Sequence, residues 1–149
     1  AFEQAIELGM NEFTPIISDH SVVSWDEKKK TKKIERLHKL ARERLKQCEQ
    51  PFLPVINQPM LLKEFVTNTL EVNKSIWAMR ERSEKSSQLP VEQDIVILIG
   101  PEGGWSETEI RFFELNQVNN LNIGPMILRT ETAFTAVCAT VLALRNQAG

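Results

Sequence analysis

The sequence predicts an α/β domain built on a largely parallel sheet. Short apolar runs alternate with segments whose apolar residues recur every three or four positions, the pattern of strands joined by helices. The run Asp94–Ile99 (D-I-V-I-L-I) is β-branched and almost unbroken, as in strands covered on both faces. Two runs, ending at Ile99 and Ile123, lead straight into glycine-containing turns, and open α/β sheets bind ligands at the carboxyl ends of their strands. At 149 residues the chain fits one domain.

The elements follow in order. Phe2, Ala5 and Ile6 stand at helical spacing and Gly9 is a natural stop, so a helix is expected over Phe2–Leu8. Phe13–Ile17 reads as a short strand that tolerates Pro15 at an edge or start. Ile34, Leu37, Leu40, Ala41, Leu45 and Cys48 form one apolar stripe, which predicts a long helix over Lys28–Glu49, ended by Pro51 and Pro54. Leu53–Ile56 is the next strand, and Pro59 opens a helix running to about Asn68. Lys74–Met79 reads as a strand and the polar Arg80–Gln93 as a loop. After the Asp94–Ile99 strand, Ser106 and Glu109 form a capping box for a helix through about Val118. Leu121–Ile123 is a short strand broken by Gly124-Pro125, Met126–Thr130 a loop, and Glu131–Arg145 a small-residue helix apolar enough to be buried nearly all round.

Composition narrows the function. The hydrophobic share of 42% supports a real core. No apolar run approaches the roughly 20 residues of a membrane span. The start carries no basic segment followed by an apolar one, so a cytoplasmic protein with no membrane contact is expected. Cys48 and Cys138 lack metal-type spacing, which points to free thiols and no metal. The net charge of −2 hides a division. Lys28–Lys46 holds ten Lys/Arg against Glu35 and Glu43 alone, a local +8 that leaves −10 for the rest. Such a segment is either a solvated helix face or a surface for RNA phosphates; its density favours RNA, with Lys28, Lys29, Lys32, Lys33 and Arg36 as candidate contacts.

Two turns carry the chemistry. In Ile99-Gly100-Pro101-Glu102-Gly103-Gly104-Trp105-Ser106 the glycines permit close approach of a ligand or, equally, a sharp strand-to-helix turn. The turn is neither a Walker A loop nor G-x-G-x-x-G, and its Glu fits a cationic or hydroxyl-rich ligand better than polyphosphate. In Ile123–Ala133, Thr130 can cap a helix and Glu131 suits its positive end. Arg129 has no such capping role: it is either a salt-bridge partner or a ligand contact beside the first turn, and the second reading is favoured. Of Trp25, Trp77 and Trp105, at least two are expected in packing, and Trp105, after the Gly-Gly pair, is best placed to stack a flipped base.

I-G-P-E-G-G-W-S followed by G-P-M-I-L-R-T-E-T-A resembles the paired signatures of the RsmE family, 16S ribosomal RNA uridine-N3 methyltransferases of the SPOUT superfamily. Ile6–Gly9 (I-E-L-G), F-T-P-I-I-S, the Gln47-Cys48 helix end and L-P-V-I at Leu53–Ile56 extend the resemblance over nearly the whole chain. It implies a SPOUT methyltransferase domain over residues 1–149 with a C-terminal deep trefoil knot, a homodimer, and S-adenosylmethionine (SAM) as cofactor. Knots are otherwise rare enough that sequence physics excludes them. The implied cofactor pocket takes Ala78 near the end of one strand, then Ile99, Gly100, Pro101, Glu102 and Gly103. It is completed by Ile123, Gly124, Ile127, Leu128, Thr130, Thr132 and Ala133. The implied substrate is a uridine of small-subunit ribosomal RNA. Its N3 must lose a proton, so Arg129 is expected to stabilise the anion, with Glu131 or a water-mediated path accepting the proton.

The chain departs from the family pattern in places. The family's N-terminal barrel-like RNA-binding domain is expected to be absent from this chain. His20 stands where Arg is common, Gln4 where Lys is common, and Gln50 near a common Arg. His20 is placed with the RNA-binding residues, because it still donates hydrogen bonds. The same replacements motivate the alternative of a catalytically weakened cofactor- and RNA-binding module, and a methyltransferase acting on another RNA position is a further one.

Overall fold

A computed structural model describes residues 2–21, 26–48, 52–80, 89–90, 94–124 and 128–148. Trp25, Gln50, Pro125, Met126, Ile127 and most of the 80–93 loop lie outside these residues.

The described architecture is α/β, and every strand pair is parallel. Helix α1 spans Phe2–Glu7, and Gly9 follows in the left-handed region at φ +87°. The expected strand at 13–17 is two pieces, β1 (Glu12–Phe13) and β2 (Ile16–Ile17), divided around Thr14 and a buried Pro15. Pro15 has no N–H to donate, but its carbonyl accepts the Met60 N–H at 3.0 Å.

Helix α2 (Glu27–Cys48) is capped by Asp26, whose carboxylate accepts the Lys29 N–H at 2.8 Å. That hydrogen bond, with the Lys29 side chain, holds the Asp26 carboxyl below its ordinary value. The predicted stripe faces inward: Ile34 and Ala41 are buried and join Ile6 and Ile56, with Leu37 and Leu45 packed alongside. Arg44 leaves the exposed basic face and binds Glu3 and Glu7 of α1.

Strand β3 (Val55–Ile56) pairs with β1. The helix expected from Pro59 starts later. Met60–Leu61 forms β4, paired with β2, and α3 runs Leu62–Glu71. Backbone pairing with β2 therefore overrides the proline start signal.

The main sheet has the order β6-β5-β7, from β5 (Ser75–Met79), β6 (Ile95–Leu98) and β7 (Asn119–Leu121). The doubly covered strand is β5, not the 94–99 run. Ile76 and Ala78 pack on one face against Leu62, Val66, Leu98 and Phe113. Trp77 packs on the other against Leu121 and Val137, as a period of two requires. Strand β6 sits at the edge of the described sheet, and only its Leu98 is fully buried. Helix α4 (Glu107–Leu115) has both arms of its capping box. Strand β7 lies two residues earlier than expected because Asn119 and Asn120 pair with Trp77 and Ala78.

Helix α5 (Thr130–Ala148) is not buried all round. Ala133 and Val137 are buried, whereas Thr132, Ala139, Leu142 and Ala143 are exposed. Among the described residues both cysteines are free. Burial pushes the Cys138 thiol up to about 11. No helix of the described residues is long and apolar enough to cross a membrane.

Phe113 is 1% exposed and meets Trp105 edge-on at 5.1 Å. Phe113→Ala is expected to lower the unfolding free energy by about 3–5 kcal/mol in urea titrations, and a loss below about 1 kcal/mol contradicts this packing.

Candidate functional site

Parallel pairing brings the carboxyl ends of β5, β6 and β7 to one edge. Ala78 stands opposite Leu98, and Met79 opposite Leu121. The Arg80 N–H continues the ladder to the Leu121 carbonyl at 3.1 Å. Three chain turns therefore leave the sheet side by side, and cross-links hold them. The Trp105 indole N–H donates to the Met79 carbonyl at 2.8 Å, tying the turn after β6 to the end of β5. The Thr130 hydroxyl donates to the Gly100 carbonyl at 3.2 Å, tying the start of α5 to the same turn.

The turn itself is closed by the Gly104 N–H, which donates to the Pro101 carbonyl at 2.9 Å. Gly104 has φ +69°, where a side chain is strained. The close approaches at the other two glycines come from protein side chains. A Cβ at Gly100 would lie 3.1 Å from the Trp105 ring, and one at Gly103 would lie 3.2 Å from the His20 Cβ. Trp105 therefore fills the underside of the turn and belongs to the core around Ile76 and Phe113. This corrects its reading as a platform for a flipped base. Trp77 is likewise buried.

The structure brings most of the predicted cofactor residues to this edge. Glu102 is exposed at the turn tip, Ile99 and Ile123 are half-buried and pack against the Trp77 cluster, and Leu128 is half-buried. Gly124 is exposed, with its N–H bonded to the Asn122 side chain at 2.9 Å. Ala78 and Ala133 are buried and can offer only backbone. Thr132 is exposed on the first turn of α5. Thr130 is not the N-cap expected of it. The Ala133 N–H closes the first helical turn on the Arg129 carbonyl at 2.8 Å, and the Thr130 hydroxyl is spent on Gly100.

Arg129 and Glu131 are both exposed, and neither forms an ion pair among the described residues. Arg129 is thus not a structural salt-bridge partner there. Backbone groups of the glycine turn and the exposed carboxylates of Glu102 and Glu131 suit a ligand with hydroxyls and a cationic centre, features that SAM has.

His20 lies on the glycine turn, its Nδ1 at 3.1 and 3.0 Å from the Gly103 and Gly104 carbonyls. Two residues escaped sequence reasoning as site residues, Asp19 and Glu109. Glu109 carried a visible cap signal, but its bond to Asp19, 90 positions away, left no local trace. On α2, Lys28, Lys29, Lys32 and Arg36 are exposed and Lys33 is half-buried. Lys29 pairs with Asp26 at 3.0 Å. Gln4 accepts a hydrogen bond from the Thr135 hydroxyl at 3.0 Å, linking α1 to α5. A cleft of about 500 Å³ beside Phe2, Gln4 and Leu40 is also lined by Glu3 and Glu7, which share Arg44 as their ion-pair partner.

Gly100→Ala is expected to force the turn and the Trp105 indole apart, against the contacts that hold the indole to Met79 and Phe113. The loss should be about 1–3 kcal/mol, with a shift in tryptophan emission. Unchanged stability and emission contradict this packing.

Residues 1–142 match the RNA methyltransferase domain family. The chain is 31% identical over 140 residues to the ribosomal RNA small subunit methyltransferase E of Bacillus subtilis, covering 88% of this chain and 55% of that protein. It is 30% identical over 155 residues to the protein of the same name from Synechocystis, covering 96% and 49%. A Legionella pneumophila protein solved in complex with the bound cofactor SAM superposes with a TM-score of 0.88 at 30% identity, over 95% of this chain and 59% of that one. The chain thus spans about half the length of the curated relatives it matches. Parallel strands delivering three cross-linked turns to one edge, and a family match over almost every residue, agree: this chain belongs to the RNA methyltransferase domain family.

Proposed function

We propose that the protein is a SAM-dependent methyltransferase acting on N3 of a uridine in small-subunit ribosomal RNA. The observation that carries the proposal is the position of Arg129, exposed and without an ion pair among the described residues, one residue from the Thr130–Gly100 link to the glycine turn. The relatives named as small-subunit ribosomal RNA methyltransferases and the SAM-bound neighbour support it. When bound, SAM supplies an electrophilic methyl group on a sulfonium. The turns at Ile99–Gly103 and Ile123–Ala133 hold it through backbone groups, with Glu102 as a polar contact. Uridine N3 is a poor nucleophile while protonated. Arg129 stabilises the charge that spreads to the flanking carbonyl oxygens, and Glu131 or a water-mediated path accepts the proton.

RNA engages the exposed face of α2. Lys28, Lys32, Arg36 and Lys39 recur at helical spacing on the side opposite Ile34, Leu37 and Ala41. The domain extends over residues 1–149, threads its C-terminal segment as the family's trefoil knot, pairs as a homodimer, needs no metal and acts in the cytoplasm. Pairing accounts for the exposed apolar side of α5.

Calorimetry with SAM followed by methyl transfer to undermodified 30S subunits tests the proposal. Binding and N3-methyluridine are expected, and failure to bind near-millimolar SAM contradicts it. Arg129→Ala should cut transfer by about a hundredfold or more while SAM affinity stays within a few fold, and equal loss of both removes Arg129 from the chemistry. Changing Lys28, Lys32 and Arg36 to Gln should weaken RNA binding and flatten its salt dependence by about 0.7–0.9 per lost phosphate contact. An unchanged slope removes α2 from the interface.

A further inference from the structure

We infer that residues Ser18–Ser21 form a strap that sets the shape of the glycine turn, with Glu109 and His20 as its positioning residues. The inference rests on the reading of that turn as part of the SAM site.

Glu109 is 2% exposed and uses both carboxylate oxygens. One accepts the Ser106 N–H at 2.8 Å, which completes the capping box. The other accepts the Asp19 N–H at 2.9 Å, which capping does not require. A buried carboxylate is tolerated only when its oxygens are satisfied, so docking of the strap is part of what keeps Glu109 in place. The positive end of α4 favours the same charge. Ser106 closes the joint: its hydroxyl donates to the Asp19 carboxylate at 2.5 Å and accepts the Glu109 N–H at 3.1 Å. Within the strap, the Ser18 N–H donates to the Ser21 hydroxyl at 3.0 Å, and the Ser21 N–H to the Ser18 carbonyl at 3.0 Å.

This joint delivers His20 to the turn. Carbonyls only accept, so Nδ1 carries a proton and donates to Gly103 and Gly104 whatever the charge on the ring. The missing side chain of Gly103 gives His20 its room, since a Cβ there meets the His20 Cβ at 3.2 Å. Two successive carbonyls of the turn are thereby aimed at one side chain from the far end of the sequence. Peptide planarity carries that orientation to the neighbouring N–H groups. The turn's form then depends on a donor at position 20, not on an aromatic ring or a charge.

His20→Ala, His20→Asn, Glu109→Gln and the double variant His20→Ala/Glu109→Gln test the strap, with SAM affinity read by calorimetry and Gly104 amide exchange read without ligand. Asn offers an amide N–H near the position of Nδ1. His20→Ala should weaken SAM binding about five- to tenfold and speed Gly104 exchange, with little change in urea midpoint, because His20 is exposed. His20→Asn should restore both to within about threefold. Gln at 109 can accept from only one of the two N–H groups, so the strap loosens. The double variant should then lose no more affinity than the worse single, since an undocked strap cannot lose His20 again. Unchanged Gly104 exchange in His20→Ala, Asn behaving as Ala, or additive losses would overturn the inference. Failure of the unmodified protein to bind SAM overturns the cofactor reading instead, and Gly104 exchange still decides the strap.

Discussion

The site depends on one side chain, Trp105. Its indole N–H binds the carboxyl end of β5, its ring lies under Gly100 after β6, and its edge meets Phe113 of α4. Core packing and site geometry are therefore one structure. Moving the turn requires breaking a partly buried hydrogen bond and opening space beside a fully buried aromatic, each a matter of about a kilocalorie or more. The glycine at 100 follows from this. It is small because an indole occupies the place where its side chain would project.

Around that anchor, distant parts of the chain converge. The strap at 18–21 arrives from the N-terminal half and is held by Glu109, and α5 arrives from the C-terminal side and is held by Thr130. Neither contact is local: the first ends on α4, just after the glycine turn, and the second on Gly100 within it. The division of charge fits this arrangement. The cations gather along the outer face of α2, whereas Glu102, Glu109 and Glu131 lie on or beside the turn and α5. A polyanion and a cationic cofactor can be met by different regions of one small domain.

Local signals in the sequence were legible, and non-local ones were not. The apolar stripe of α2, the Ser106–Glu109 box and the stop at Gly9 each lie within a few residues and appear where expected. The Asp94–Ile99 run announced a strand but not its place. Composition cannot say that S-I-W-A-M takes the centre of the sheet and D-I-V-I-L-I an edge. The Pro59 signal gave way to pairing of Met60–Leu61 with Ile16–Ile17. At the site, the turn and the Arg129 segment were visible as motifs, whereas the roles of Trp105, Asp19 and Glu109 arise only from tertiary contact.

The proposed function requires the three turns at the carboxyl edge of the sheet to form one cofactor site. A crystal structure of the protein with SAM tests it most directly. The ligand is expected against Ile99–Gly103, Ile123–Gly124 and the start of α5, with Trp105 still bonded to Met79. A ligand seated in the cleft between α1 and α2, or one that displaces the Trp105 indole, would contradict it.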